Sequence, residues 1–131
     1  MIRIDFLGTG NAFAPSGRLH ALTLIDKKIL IDTPPTLLTQ LRRKGMKTSE
    51  IEHLLFTHWH ADHTFGFPFF MLERKYISDP SGVCDLKIYL RPGGKDKLAK
   101  LCNIGFPGSL ENIRDMADWY EEEKFELPET N

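Results

Sequence analysis

The sequence predicts an α/β fold. Short apolar runs that alternate every second residue recur along the chain. Between them lie segments with apolar residues three and four apart, and Gly, Pro and Asp clusters separate the two kinds. Strands that take turns with helices make this class. Of the 131 residues, 41% are hydrophobic and 27% charged, enough apolar material for a core and against a mainly disordered chain.

Ile2-Arg3-Ile4-Asp5-Phe6-Leu7 alternates and reads as the first strand, running into the turn Gly8-Thr9-Gly10-Asn11. Residues 12–19 form a loop with Pro15, Ser16 and Gly17. Leu22–Ile25 and Lys28–Ile31, joined by Asp26-Lys27, read as a hairpin. Thr33 can cap a helix with Pro34 at its first position, Leu37, Leu38 and Leu41 on one face and Gly45 at its end. Residues 48–52 make a short helical turn, and His53–Thr57 is a buried-strand pattern.

A helix is expected from about Thr64 to Tyr76, with Pro68 in its first turns or kinking it. The Phe65, Phe67, Phe69 and Phe70 series reads as core rather than as a stacking platform. Asp85–Tyr89 reads as a strand, Pro92-Gly93-Gly94 as a turn and Lys95–Asn103 as a helix. Another helix is expected from a Ser109 cap to about Glu122, and a strand begins near Lys124–Leu127.

Bulk features narrow the function classes. No run approaches the roughly 18 apolar residues of a membrane span. The first residues lack the charged-then-apolar pattern of a signal peptide, so a cytoplasmic chain is expected. Cys84 and Cys102 are too few for a disulfide framework and read as reduced thiols. Net charge is −1, so no global positive field recommends nucleic acid. The balance is uneven: residues 1–110 carry 15 Lys and Arg against 10 Asp and Glu, residues 111–131 carry 2 against 8. The acidic end reads as a solvated terminus. Leu127-Pro128-Glu129-Thr130-Asn131 resembles a sortase signal without its glycine or hydrophobic tail, and reads as coincidence.

The chemistry concentrates in Thr57-His58-Trp59-His60-Ala61-Asp62-His63, three imidazoles and a carboxylate between a buried strand and a helix. Ligands on one short turn cost little entropy to organise around a metal. Imidazole nitrogen and carboxylate oxygen suit zinc, manganese or iron. His58 and His60 can face one side of an extended segment, while Asp62 and His63 address a second position, a pattern for two adjacent metals. A histidine-rich surface loop is the bland alternative. Other residues carry weaker claims. His20 reads as structural or surface, His53 as exposed, Arg42-Arg43-Lys44 as a solvated helix end, and Trp59 as either the floor of a site or simple packing.

His58-x-His60-x-Asp62-His63 after an apolar strand resembles the signature of the metallo-β-lactamase superfamily. Leu7-Gly8-Thr9-Gly10, Ile29-Leu30-Ile31-Asp32-Thr33, Phe65-Gly66-Phe67-Pro68, and Lys87-Ile88-Tyr89-Leu90 with Pro92-Gly93-Gly94 are similar to its ribonuclease Z branch, which includes small phosphodiesterases. The resemblance implies an αβ/βα four-layer sandwich, a mixed sheet with flanking helices in each half. It implies that His58 and His60 bind the first of two divalent metals, most often zinc, and Asp62 and His63 the second. Asp62 also orients the nucleophile, and Asp32 braces the metal loop by hydrogen bonding. It implies a hydrolase of phosphodiesters using metal-activated hydroxide, with a tRNA precursor as the partner substrate and no membrane partner. The alternatives are a small cyclic phosphodiesterase, another ester hydrolase, or an inactive fragment serving as a binding or oligomerising module.

The family site also draws ligands from a second half, and the 68 residues after His63 hold no histidine. Residues 1–131 are therefore expected to be a single partial domain, the N-terminal half of the sandwich. Metal binding should be weak or absent in this chain, and a homodimer or swapped oligomer would cover the open sheet.

Overall fold

A six-stranded sheet runs in strict sequence order, from β1 (Ile4–Gly8) through β2 (Leu22–Ile25), β3 (Ile29–Ile31), β4 (His53–Leu55) and β5 (Lys87–Leu90) to β6 (Asp118–Glu121). β1, β2 and β3 pair antiparallel, the first two joined by the loop of residues 9–21 and the last two by a tight turn, and β3 to β6 pair parallel. Parallel neighbours need crossovers. These are α1 (Leu37–Arg43), then α2 (Ala61–Thr64) with α3 (Phe67–Glu73), then α4 (Gly94–Gly105). The computed structural model describes residues 1–127. Residues 128–131, with most of the sortase-like ending, lie outside the described residues.

Register sorts the side chains into two faces. Leu24, Leu30, Leu54 and Ile88 stand in one row across four strands and are fully buried. They pack with Leu37, Leu41, Phe67, Phe70, Met71, Leu98 and Cys102 of the helices in one core. The opposite row runs Ile31, Leu55, Tyr89, Tyr120, with Ile4 and Ile25 paired beside it. Ile4 and Phe6 of the edge strand are 52% and 70% exposed there. The helices thus cover one face and leave the other partly open. Among the described residues no helix is long and apolar enough to cross a membrane. Cys84 is exposed and Cys102 buried, and burial pushes the Cys102 thiol up to about 12.

The structure corrects several local expectations. The segment from Ser109 is no helix: a 3-10 turn at Ile113–Asp115 leads into β6. Pairing of β6 with β5 supplies what local spacing does not record. The final strand therefore falls before Lys124–Leu127, which lie outside any strand. The expected Thr64–Tyr76 helix breaks at Phe65-Gly66 and ends in a π turn, Arg74–Ser78, with Pro68 in the first turn of α3 as expected. α1 starts at Leu37 rather than Pro34, because Thr33 has other partners. Phe67 and Phe70 are core, whereas Phe65 and Phe69 are about half exposed.

His53 is also not exposed. It stands in a central strand between Ile29 and Lys87, 5% exposed, with Nδ1 3.1 Å from the Tyr89 hydroxyl. Burial, then Lys87, hold its pKa below the ordinary value, against a smaller upward pull from Glu52. The folded protein keeps the ring neutral longer than the unfolded chain does. The resulting stability is present above about pH 6.5 and declines as pH falls below it. Urea denaturation between pH 7.5 and 5 should show that decline, and His53→Gln should flatten it. An unchanged slope in the variant would contradict the assignment.

Candidate metal centre

Parallel pairing of β3 with β4 brings their C-terminal ends to one edge of the sheet. Asp32 donates its amide to Leu55 O at 2.7 Å, just beyond the register pair Ile31 and Leu55. Asp32 adopts a left-handed backbone, φ +69°, which is uncommon for a residue with a Cβ and turns its side chain inward. Its carboxylate is 4% exposed for the whole residue and fully engaged. Oδ1 accepts the Thr57 amide at 2.8 Å, and Oδ2 accepts the Thr57 hydroxyl at 2.6 Å and meets His63 Nδ1 at 2.8 Å.

Thr33 holds the same turn from beside it. Its amide donates to His63 O at 2.7 Å, its carbonyl accepts Gly66 N–H at 2.8 Å, and its hydroxyl reaches Thr64 O at 3.3 Å. Thr64 in turn donates its hydroxyl to His60 O at 3.1 Å. Gly66 has no room for a side chain, since a Cβ there would overlap the Pro34 carbonyl and Leu37. Gly66→Ala should therefore push α3 away from this corner and cost about 1–3 kcal/mol. A melting temperature equal to that of the unaltered protein would refute this contact.

The three imidazoles of the motif gather on one side. The His58 and His60 ring centres are 4.8 Å apart and those of His58 and His63 4.0 Å. His58 and His60 are exposed, while His63 and Asp62 are largely covered. His63 Nδ1–H donates to Asp32, which as a carboxylate only accepts, and in the neutral ring this leaves the lone pair on Nε2. Thr57 spends its only hydroxyl proton on Asp32, so at 3.0 Å it accepts from His58 Nδ1 and leaves that Nε2 free too. His63 Nε2 lies 3.2 Å from Asp62 Oδ2. A shared cation, a metal ion or a proton, stabilises a ring nitrogen and a carboxylate oxygen at this distance. Two ligands on one tetrahedral ion at the usual bond lengths lie about 3.4 Å apart.

The donor set therefore fits a divalent metal in kind. It falls short in number, because no group of three or more His, Cys, Asp or Glu side chains among the described residues is disposed to hold one ion.

A family model described as "Anti-Pycsar protein Apyc1" matches residues 2–127. The chain belongs to that family. Apyc1-family membership spans nearly the whole sequence, and ribonucleases Z are its curated relatives. The enzyme of Lactococcus lactis subsp. cremoris is 30% identical over 138 residues, covering 96% of this chain and 44% of the relative. Human tRNase Z, short form, matches in structure with a TM-score of 0.70 at 22% identity, covering 92% of this chain and 45% of that one. Zn²⁺-bound PqqB of Methylobacterium extorquens matches at 0.61 and 14% identity, covering 92% and 49%. The mixed sheet with flanking helices is that of the metallo-β-lactamase fold. The chain spans between 24% and 44% of the length of the ribonucleases Z it matches.

Sequence reasoning brings Asp32, His58, His60, Asp62 and His63 to attention, and the structure places all five at this sheet edge. It names Thr33, Thr57 and Thr64 without seeing that they tie the turn together, although each directly flanks a singled-out residue. Trp59 packs against Phe56, stacked with ring centres 5.9 Å apart. His20 serves its loop, bridging Gly10 and accepting Gln40 Nε2 at 2.7 Å through its carbonyl. Arg42 and Arg43 are solvated, and Lys44 pairs with Asp5 at 3.0 Å.

Proposed function

We propose that this Apyc1-family chain carries the first half of the metal centre of a phosphodiester hydrolase of the ribonuclease Z type. The observation that carries the reading is the Asp32 brace, which engages Nδ1 of His63 directly and Nδ1 of His58 through Thr57, with His63 Nε2 3.2 Å from Asp62. In this reading His58 and His60 hold one ion, Asp62 and His63 a second, and zinc is the expected metal, with manganese or iron as alternatives. Such ions, when bound, supply the charge that makes water nucleophilic near neutral pH and offset charge on the phosphate oxygens. Asp32 fixes tautomers, Thr57 relays that constraint to His58, and Asp62 is placed to orient the attacking water. Each ion receives two ligands from these residues. The rest come from the part of the longer relatives that this chain does not span.

A small cyclic diester is the second reading, since the same donor set would serve it. The test is to assay the native protein on a tRNA precursor and on bis(p-nitrophenyl) phosphate, with metal content and native mass measured beside it. Precursor cleavage that His58→Ala removes supports the ribonuclease reading, and turnover of small diesters alone supports the second. Metal-loaded protein with every ligand of the centre in place that hydrolyses neither overturns both. Tight stoichiometric metal in the 131-residue monomer would overturn the shared-ligand part.

A further inference from the structure

The metal turn has a second side. Trp59 lies between His58 and His60 in sequence and points away from them, onto Phe56 and the first turn of α4. Gly94 permits this, since a Cβ there would overlap the indole. Beyond the ring lies an open cleft of about 280 Å³, with Trp59, Phe65, Leu101 and Ile104 as its apolar walls and Lys97 and Lys100 beside them. Phe65 is 51% exposed and Ile104 79%. No carboxylate is among the described residues that line it. The Lys97 ammonium sits 5.1 Å from the Trp59 ring centre, so charge and aromatic face are offered together.

We propose that this cleft is a subsite for one nucleotide of a single-stranded substrate, away from the bond that is cut. The inference rests on the phosphodiesterase reading above. Aromatic faces that stack bases beside cations that track the backbone are the recurring solution for single strands, and they tolerate any base. The volume is near the lower end of small-ligand pockets, about 300 Å³, which suits one nucleotide and not a duplex. Position supports the same occupant. Thr64 lines the cleft and donates its hydroxyl to His60 O, so the cleft wall and the metal donors are two sides of one turn. A strand that crosses the metal donors and continues over Trp59 meets Lys97 and Lys100 with its next two phosphates. Lys97 and Lys100, with no carboxylate partner among the described residues, make a poor rim for an apolar protein partner, because covering them without an acid costs their hydration.

The test uses a ten-nucleotide oligouridylate, with binding followed by fluorescence anisotropy across a salt series and without added metal. Lys97→Ala/Lys100→Ala should weaken binding at least about fivefold and lower the slope of log affinity against log salt by about 1.4, two phosphate contacts of a single strand. Phe65→Ala, on a half-exposed ring, should weaken binding about tenfold with little change of slope. Both variants should melt at the temperature of the unaltered protein. If the oligonucleotide shows this lysine dependence while no diester is hydrolysed under any metal, the subsite stands and the enzyme reading falls. If diesters are hydrolysed but oligonucleotide affinity and salt slope ignore Lys97 and Lys100, the subsite is overturned and the enzyme reading stands. Self-association that Ile104→Asp abolishes, with oligonucleotide binding indifferent to that change, would assign the cleft to a second copy of the chain and overturn the proposal.

Discussion

Asp32→Ala should lower the affinity of the protein for zinc or manganese by about 10- to 100-fold, although Asp32 is not proposed to touch the metal. The carboxylate accepts three hydrogen bonds that join the end of β3 to both ends of the histidine turn. Without it the Thr57 amide loses its acceptor, and nothing fixes the proton on Nδ1 of His63 or, through Thr57, of His58. Asp32→Asn separates this effect from a general loss of stability. Asparagine keeps an oxygen for the Thr57 amide and tolerates the left-handed backbone at φ +69°. Its amide nitrogen, however, would face His63 Nδ1 as a donor. That favours the other tautomer, with the proton on Nε2 where a metal needs a lone pair. The asparagine variant should therefore unfold at higher urea than the alanine variant yet bind metal nearly as weakly. Calorimetric titration beside urea denaturation measures both. An asparagine variant with unaltered metal affinity would show that Asp32 is merely a strand-end cap.

This arrangement explains which parts of the molecule the sequence announces. The histidine turn is legible because its residue types are costly to gather for any structural purpose, and Asp32 because it ends an apolar strand. The strands β2 and β3 are legible because Leu22 and Leu24 alternate with half-buried neighbours around a two-residue turn. β6 is not legible. Leu110, Ile113, Met116 and Ala117 have helical spacing, but the chain there turns once and then pairs with β5, each partner 31 residues away. Backbone pairing at that distance leaves no local pattern. His53 misleads for a similar reason: a polar residue at a strand start reads as solvent-facing until two neighbouring strands close on it. The role of the threonines is not legible because hydroxyls are common, and only geometry shows that the single Thr57 hydroxyl stands between Asp32 and His58.

Arg74 is silent in the sequence, one cation in a charged helix end, and its removal should be the most damaging single change to stability. The residue is 3% exposed, and its guanidinium donates to four backbone carbonyls. Nη1 reaches Thr48 O at 2.6 Å and Ile51 O at 3.1 Å, ahead of β4. Nη2 reaches Cys84 O at 2.9 Å and Asp85 O at 3.0 Å, ahead of β5. One planar fork thus fixes the entry of two adjacent central strands, and through β4 it fixes the turn that carries the histidines. Burial lowers the Arg74 pKa from its ordinary value, with Asp79, Cys84, Glu73 and Asp85 opposing that shift, so the group stays charged at neutral pH. Arg74→Met keeps the apolar stem and strips the donors, leaving carbonyls without partners in a closed site. The expected cost is about 3–5 kcal/mol by urea denaturation, a large share of the stability of a domain this size. Arg74→Lys should recover only part of it, since an ammonium has three donors and no fork. A methionine variant within about 1 kcal/mol of the unaltered protein would mean that water replaces the guanidinium at no loss, and that the strand entries are held by the sheet alone.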